Sequence, residues 1–246
     1  MGYYSGKLMG VQAVAAPAIV TDGLVLHLDA GNATSYPGSG TTWYDLSGNA
    51  KHATLVSGVG YDSQNNGSLV FDGTNDYGHI SMTPISGSSS LVFFIKTSAT
   101  DNGVFYYANG VINKAAYDRQ VYINKTGKIE CRFWDAGISG NTFGWLNSLT
   151  SINDNSWKQI AIINDISFGK KIYINGVLDN SDSTPYSGYN GYTMPYFHIG
   201  VSADNSDNLL IKYLQGNIAN VFMYNKALSA TEITQNYNAL KTRYGL

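Results

Sequence analysis

Apolar and polar residues alternate in short runs along most of this chain, and a turn sequence interrupts them about every ten residues, the pattern of a β-sandwich. In "DGLVLHLDA" (22–30), Leu24, Leu26 and Leu28 alternate with Val25, His27 and Asp29. "GSLVFDG" and "YGHIS" flank the turn "DGTND", and "SLVFFIKTS" (90–98) is apolar on both faces, as a central strand is. The run "QVYINKTGKIECRFW" (120–134) predicts a hairpin around a three-residue loop, Lys125-Thr126-Gly127, with Gly127 in the left-handed position. That register sets Ile123 opposite Ile129 and Val121 opposite Cys131, and a slip of one residue would mix the two faces. "KKIYINGVLD" (170–179) predicts a second hairpin at Asn175-Gly176, with Ile172, Ile174 and Val177 on one face. The period changes near the end. Ser229-Ala-Thr-Glu232 has the form of a capping box, and Ile233, Tyr237, Leu240 and Tyr244 follow at helical spacing. One short helix should therefore close an otherwise all-β domain covering residues 22–246. Residues 1–21 form an extended arm, read as a tether rather than a leader, that anchors the domain or contacts a sister chain and orders only against a partner.

Composition narrows the partners. Charged residues make up 13% of the 246, about half the usual share, and polarity comes from Asn, Ser, Thr, Gly and 19 Tyr. A net charge of −2 without a Lys/Arg cluster argues against a nucleic-acid partner. No apolar run reaches the roughly 20 residues of a membrane span. With Cys131 the single cysteine, no internal disulfide can form.

Several stretches, in this order, resemble a concanavalin A-like jelly roll of the laminin-G type. They are "GLVLHLDAGNATSYPGSGTTWYDLSGN" (23–49), "LVFDGTNDY" (69–77), "WKQIAIIND" from Trp157, "KKIYINGVLD", and "FHIG" (197–200) with "LQGNIANVFMYNKALSATEI" (214–233). The resemblance implies an antiparallel jelly-roll sandwich and a glycan-recognition type of surface. Where many relatives carry an acidic pair after the glycine-x-Ile turn, this chain has Ala219-Asn220. The opening segment also resembles domains of tailed-phage structural proteins, cyanophages among them, which implies a virion component made in a host cytoplasm. An extracellular or cell-surface setting is the alternative.

The chemistry favours binding over catalysis. Glycoside hydrolysis uses two carboxylates about 5–10 Å apart. The only glutamates are Glu130, alone on its strand, and Glu232, taken up by the capping box. Lyase chemistry would use a Tyr or His base near Arg, and tyrosine is abundant here. The four histidines have no ligand spacing for zinc. Calcium is the candidate cofactor, because relatives often hold one through loop oxygens. Asp45, Asp72, Asp76, Asp204 and Asp207 are the candidate ligands, although tight turns need the same residues.

Two stretches are candidate contact surfaces. On the polar face of the first hairpin, the register puts Tyr122 opposite Glu130 and Gln120 opposite Arg132, with Trp134 beyond: planar rings and fixed polar groups of the kind that bind sugars. A simple Glu130–Arg132 pair is the plainer reading. "STPYSGYNGYTMPYF" (183–197) places Tyr186, Tyr189, Tyr192 and Tyr196 in a loop too rich in Gly and Pro for a helix, and it suits a protein or glycan contact. The leading expectation is a non-enzymatic virion protein on a capsid or tail, binding other virion proteins through its arm and host-surface polysaccharide through its loops. The alternatives are a carbohydrate-binding module of a bacterial surface protein and a polysaccharide-degrading enzyme.

Overall fold

The computed structural model describes residues 17–108, 117–135, 142–185, 194–204 and 210–246. Two antiparallel eight-stranded sheets pack face to face. The first runs Val177–Asp182, Gly169–Ile174, Lys158–Asp165, Ser89–Lys96, Gln215–Tyr224, Ser68–Asp72 and Gly60–Asp62, with Leu24–Asp29 also paired to Gln215–Tyr224. The second runs Thr142–Ser151, Lys128–Asp135, Tyr117–Ile123, Asn102–Ala108, Tyr196–Ile199, Tyr77–Ser81, Ala53–Val56 and Thr42–Trp43.

The apolar alternation explains the stacking. Phe93 and Ile95 face inward from the Ser89–Lys96 strand, meeting Phe105, Val121, Cys131 and Phe197 of the second sheet in one core. Val92 and Phe94 of the same strand face outward and are buried as well, because that side of the first sheet is covered. The strand is therefore apolar on both faces, and it lies between Lys158–Asp165 and Gln215–Tyr224. Each fully buried Phe or Ile contributes about 1.5–3 kcal/mol.

Both predicted hairpins form. Ile123 pairs with Ile129, Tyr122 with Glu130, Val121 with Cys131 and Gln120 with Arg132. Gly127 takes φ 74°, and a Cβ there would come within 2.0 Å of the Asn153 side-chain oxygen, so the turn requires glycine on both counts. Asn175 and Gly176 adopt φ 52° and 78°, the signs of a type I′ turn. Val177 does pair with Ile174, but it is 69% exposed, so the shared apolar face ends at Ile174.

The helix spans Ala230–Leu240, with Ser229 Oγ accepting from the Glu232 N–H and the Glu232 carboxylate accepting from the Ser229 N–H. Tyr244 lies beyond it, in the one-turn helix Lys241–Tyr244. The last residues before 21 make contacts with the domain. Gln235 Nε2 donates to the Ala18 carbonyl (2.8 Å), the Val20 N–H to Asn236 Oδ1 (2.8 Å), and the Tyr224 hydroxyl to the Val20 carbonyl (3.0 Å). Val20 is buried beside Ile233, Phe222 and Leu228, so residues 18–20 pack on the covered face of the first sheet.

Candidate functional site

Among the described residues, the outer face of the second sheet is only partly covered. A hairpin of Val201–Asp204 and Leu210–Tyr213 lies over it, burying Tyr106, Ala108, Val201 and Ala203 together. It crosses at Gly103, where a Cβ would stand 2.2 Å from the Ser202 nitrogen. It is fixed by Gln120 Nε2 donating to the Ala203 carbonyl (2.6 Å) and by the Lys212–Asp101 ion pair (2.8 Å).

Beside this hairpin the face stays open as a cleft of about 320 Å³, lined by Asp101, Tyr122, Asn124, Lys125, Glu130 and Arg132 among others. Arg132 organises it. Its Nε donates to Glu130 Oε1 at 2.6 Å. The guanidinium carbon sits 4.5 Å from the Tyr122 ring centre and 4.3 Å from that of Trp145. Rings within about 6 Å attract such a cation. Tyr122 is buried, whereas Trp145 is 52% exposed. One ring thus supports the guanidinium and the other offers a surface to solvent. Asn124 Oδ1 accepts from the Thr126 and Lys128 N–H groups and holds the turn at the cleft's edge.

The hairpin register brings together Tyr122, Glu130 and Arg132, and the Glu130–Arg132 pair of the plainer reading is present within the cleft. Trp134 pairs with Phe143 in the strand register, and its side chain lies outside the described residues. Tyr196 is not part of this group. It pairs with Ala108, while Tyr122 pairs with Gly103 near the other end of the same strand, five residues or roughly 17 Å away. Its ring meets His79 edge-on at 6.1 Å instead. Tyr186, Tyr189 and Tyr192 lie outside the described residues. Trp145 was missed. It faces Arg132 across the strand pair, with Trp145, Asn147 and Leu149 exposed and Leu146 and Ser148 buried, but the residues themselves do not alternate between apolar and polar, so the sequence carried no local signal for it.

The calcium candidates divide by environment. The Asp45 carboxylate accepts from the N–H groups of His27 (2.9 Å), Ser47 (2.9 Å) and Lys51 (3.0 Å) and from the Ser47 hydroxyl (2.8 Å). Burial alone would raise its pKa, but these donors outweigh burial and hold it below the ordinary value. Asp72 Oδ1 accepts from the Thr74 N–H, which lowers its pKa. Asp76 is raised by burial and then by the Asp72 charge. Asp204 is placed by its backbone alone, and Asp207 lies outside the described residues. Among those described, no three His, Cys, Asp or Glu converge to hold a metal. Asp45 thus performs turn chemistry, and Asp72 with Asp76 supplies two carboxylates at one turn.

Two face-to-face antiparallel sheets with a covering helix on one side and an aromatic, ion-paired cleft on the other define a lectin-type jelly roll. The family profile for the concanavalin A-like lectin/glucanases superfamily matches residues 72–234, and the chain belongs to that superfamily. No curated protein sequence matches it. Among solved structures it is similar to the receptor-binding domain of botulinum neurotoxin C/D mosaic serotype, with 18% identity, TM-score 0.63, and coverage of 89% of this chain and 51% of that one. It is also similar to the binding domain of Paraclostridial Mosquitocidal Protein 1, with 16% identity, TM-score 0.64, and coverage of 89% and 52%. A third is the botulinum neurotoxin serotype D ligand-binding domain solved with N-acetylneuraminic acid, at 18% identity, TM-score 0.61, and coverage of 89% and 51%. The chain spans about half the length of these domains, and the likeness is one of fold.

Proposed function

We propose that this domain is a non-catalytic carbohydrate-recognition module whose binding surface is the open cleft on the second sheet. The observation that carries this reading is Arg132, stacked between Tyr122 and Trp145 and ion-paired to Glu130. A half-exposed indole stacks on the C–H face of a sugar ring, and a fixed carboxylate and guanidinium hydrogen-bond its hydroxyls. The family supports the reading, as does a neighbour in fold solved with N-acetylneuraminic acid. Glu130 and Asp101, the two carboxylates of the cleft, are each engaged by a cation, an arrangement suited to holding a ligand in place. A glycan panel probed with the protein and with Trp145→Ala tests this. Selective binding that the substitution weakens at least tenfold, without new reducing ends or unsaturated products, is the expected result. Binding to no glycan would overturn it.

We further propose that the module is displayed on a virion. Residues 18–20 attach on the outer face of the first sheet, opposite the cleft, so a tether from that side leaves the cleft facing outward. The single buried Cys131 also suits assembly in a reducing cytoplasm. Deleting residues 1–16 should abolish incorporation into particles while the domain stays folded. Absence of the intact protein from purified particles would sink this reading.

A further inference from the structure

The charges that line the cleft are not evenly answered. Glu130 accepts from Arg132 Nε at 2.6 Å, and Asp101 pairs with Lys212 at 2.8 Å, so both carboxylates and the guanidinium have partners of opposite sign. Of the four charged lining residues, Lys125 is the one that no described residue neutralises. It is exposed, at the turn that forms the cleft's rim. Asn124 fixes that turn. Its Oδ1 accepts from the Thr126 N–H (2.9 Å), the Thr126 hydroxyl (2.8 Å) and the Lys128 N–H (3.1 Å), and its carbonyl accepts from the Gly127 N–H (2.9 Å). The acceptors of Asn124 are thereby spent inside the turn. What remains at the rim is a set of donors: Asn124 Nδ2, the Lys125 N–H and the Lys125 ammonium, none of which has a partner among the described residues.

The chemistry of the rim selects the occupant. A sugar hydroxyl can accept from one of these donors, but it leaves the ammonium charge unanswered. An oxyanion accepts from several at once, and hydrogen bonds between charged groups are the stronger ones. We infer that the cleft recognises anionic glycans, with a carboxylate or a sulfate ester seated at the 124–127 turn. Tyr122 lies three residues, about 10 Å along the strand, from Lys125. Arg132 lies between the Tyr122 and Trp145 rings, so a sugar stacked on Trp145 reaches the turn only through its neighbours in a chain. The ligand is accordingly an acidic oligosaccharide rather than a single sugar. The inference rests on the glycan-binding reading and adds a charge preference to it.

Two matched pairs of probes at low salt test this: oligogalacturonate against its methyl ester, and sulfated against unsulfated dextran oligosaccharide. The anionic member of at least one pair should bind roughly tenfold more tightly, as one hydrogen bond to a charged group contributes. Which pair responds separates carboxylate from sulfate. Lys125→Gln should bring the ratio within that pair close to one, Lys125→Arg should keep it, and added salt should reduce it in the native protein. Lys125 is exposed, so these variants keep the fold. Equal binding within both pairs, a preference that Lys125→Gln leaves intact, or a glycan panel that selects neutral sugars alone overturns this inference and leaves the glycan reading standing. If the protein binds neither these probes nor any glycan of the panel, both fail.

Discussion

On the outer face of the first sheet, Val92, Ala161, Ile163 and Phe222 lie beneath Val20, Leu228 and Ile233, and Phe94 beneath Tyr244. Even the polar groups on that face are enclosed: Asn220 accepts from the Tyr244 hydroxyl, and Gln159 is fully buried. On the outer face of the second sheet, the 201–213 hairpin covers Tyr106 and Ala108 and crosses at Gly103. Beside that crossing, a stacked arginine and a half-exposed tryptophan border open solvent. Both faces are presented by antiparallel strands, and what covers them differs. One face is occupied with holding the fold, and the described part of the other leaves a cleft open beside the hairpin.

Substitutions should separate the two faces. Ile233→Ala removes a fully buried side chain from the sealed face and should cost about 2–5 kcal/mol, read as a large drop in denaturant midpoint. Glycan binding at temperatures where the variant is folded should not change. Arg132→Ala should cost less, about 1–3 kcal/mol, because it strands the largely buried Glu130 carboxylate, and it should abolish binding as well. A variant that kept full binding would detach the cleft from function.

Acid should act on both faces. Burial lowers the pKa of His27, partly offset by Asp29 and Asp45, and burial also lowers that of His79. Below the ordinary value of about 6.5 the unfolded chain takes up protons that the folded one resists, so stability falls as pH drops from there toward the lower folded values. A second loss follows below about 4, as Asp45 and Asp154 are protonated; Asp154 is held at about 2, because its bonds to Lys158 and Ser156 outweigh its desolvation. Midpoints measured from pH 8 to pH 3 should show both stages, and a flat profile through pH 6 would contradict the first. The smallest stability effect belongs to Trp145→Ala, within about 0.5–1 kcal/mol for an exposed ring that stacks on Arg132, although its effect on binding should be among the largest.

Much of this was legible in the sequence wherever neighbouring residues carry the information. Gly127 and the apolar faces of Val121, Ile123, Ile129 and Cys131 set the hairpin register, which places Tyr122 opposite Glu130. Ser229 and Glu232 announced the helix start. Contacts between distant strands were not legible. Trp145 meets Arg132 only because Thr142–Ser151 pairs outside Lys128–Asp135, and no local pattern specifies that neighbour. Nor could alternation alone show that Asn164 turns inward: its strand, buried on both faces from Gln159 to Ile163, has no polar side from which to read direction. Val20 looked like part of an arm, because its anchors Tyr224 and Asn236 lie more than 200 residues away.

The most direct test of the division between the faces is an NMR map of the protein bound to whichever glycan the panel selects. The account predicts shifts at the Trp145 indole, the Arg132 guanidinium and the backbone of Tyr122 to Thr126, with Ile233, Asn236 and Tyr244 unmoved. Shifts concentrated on the helix and the residues around Val20 would place recognition on the sealed face and contradict it.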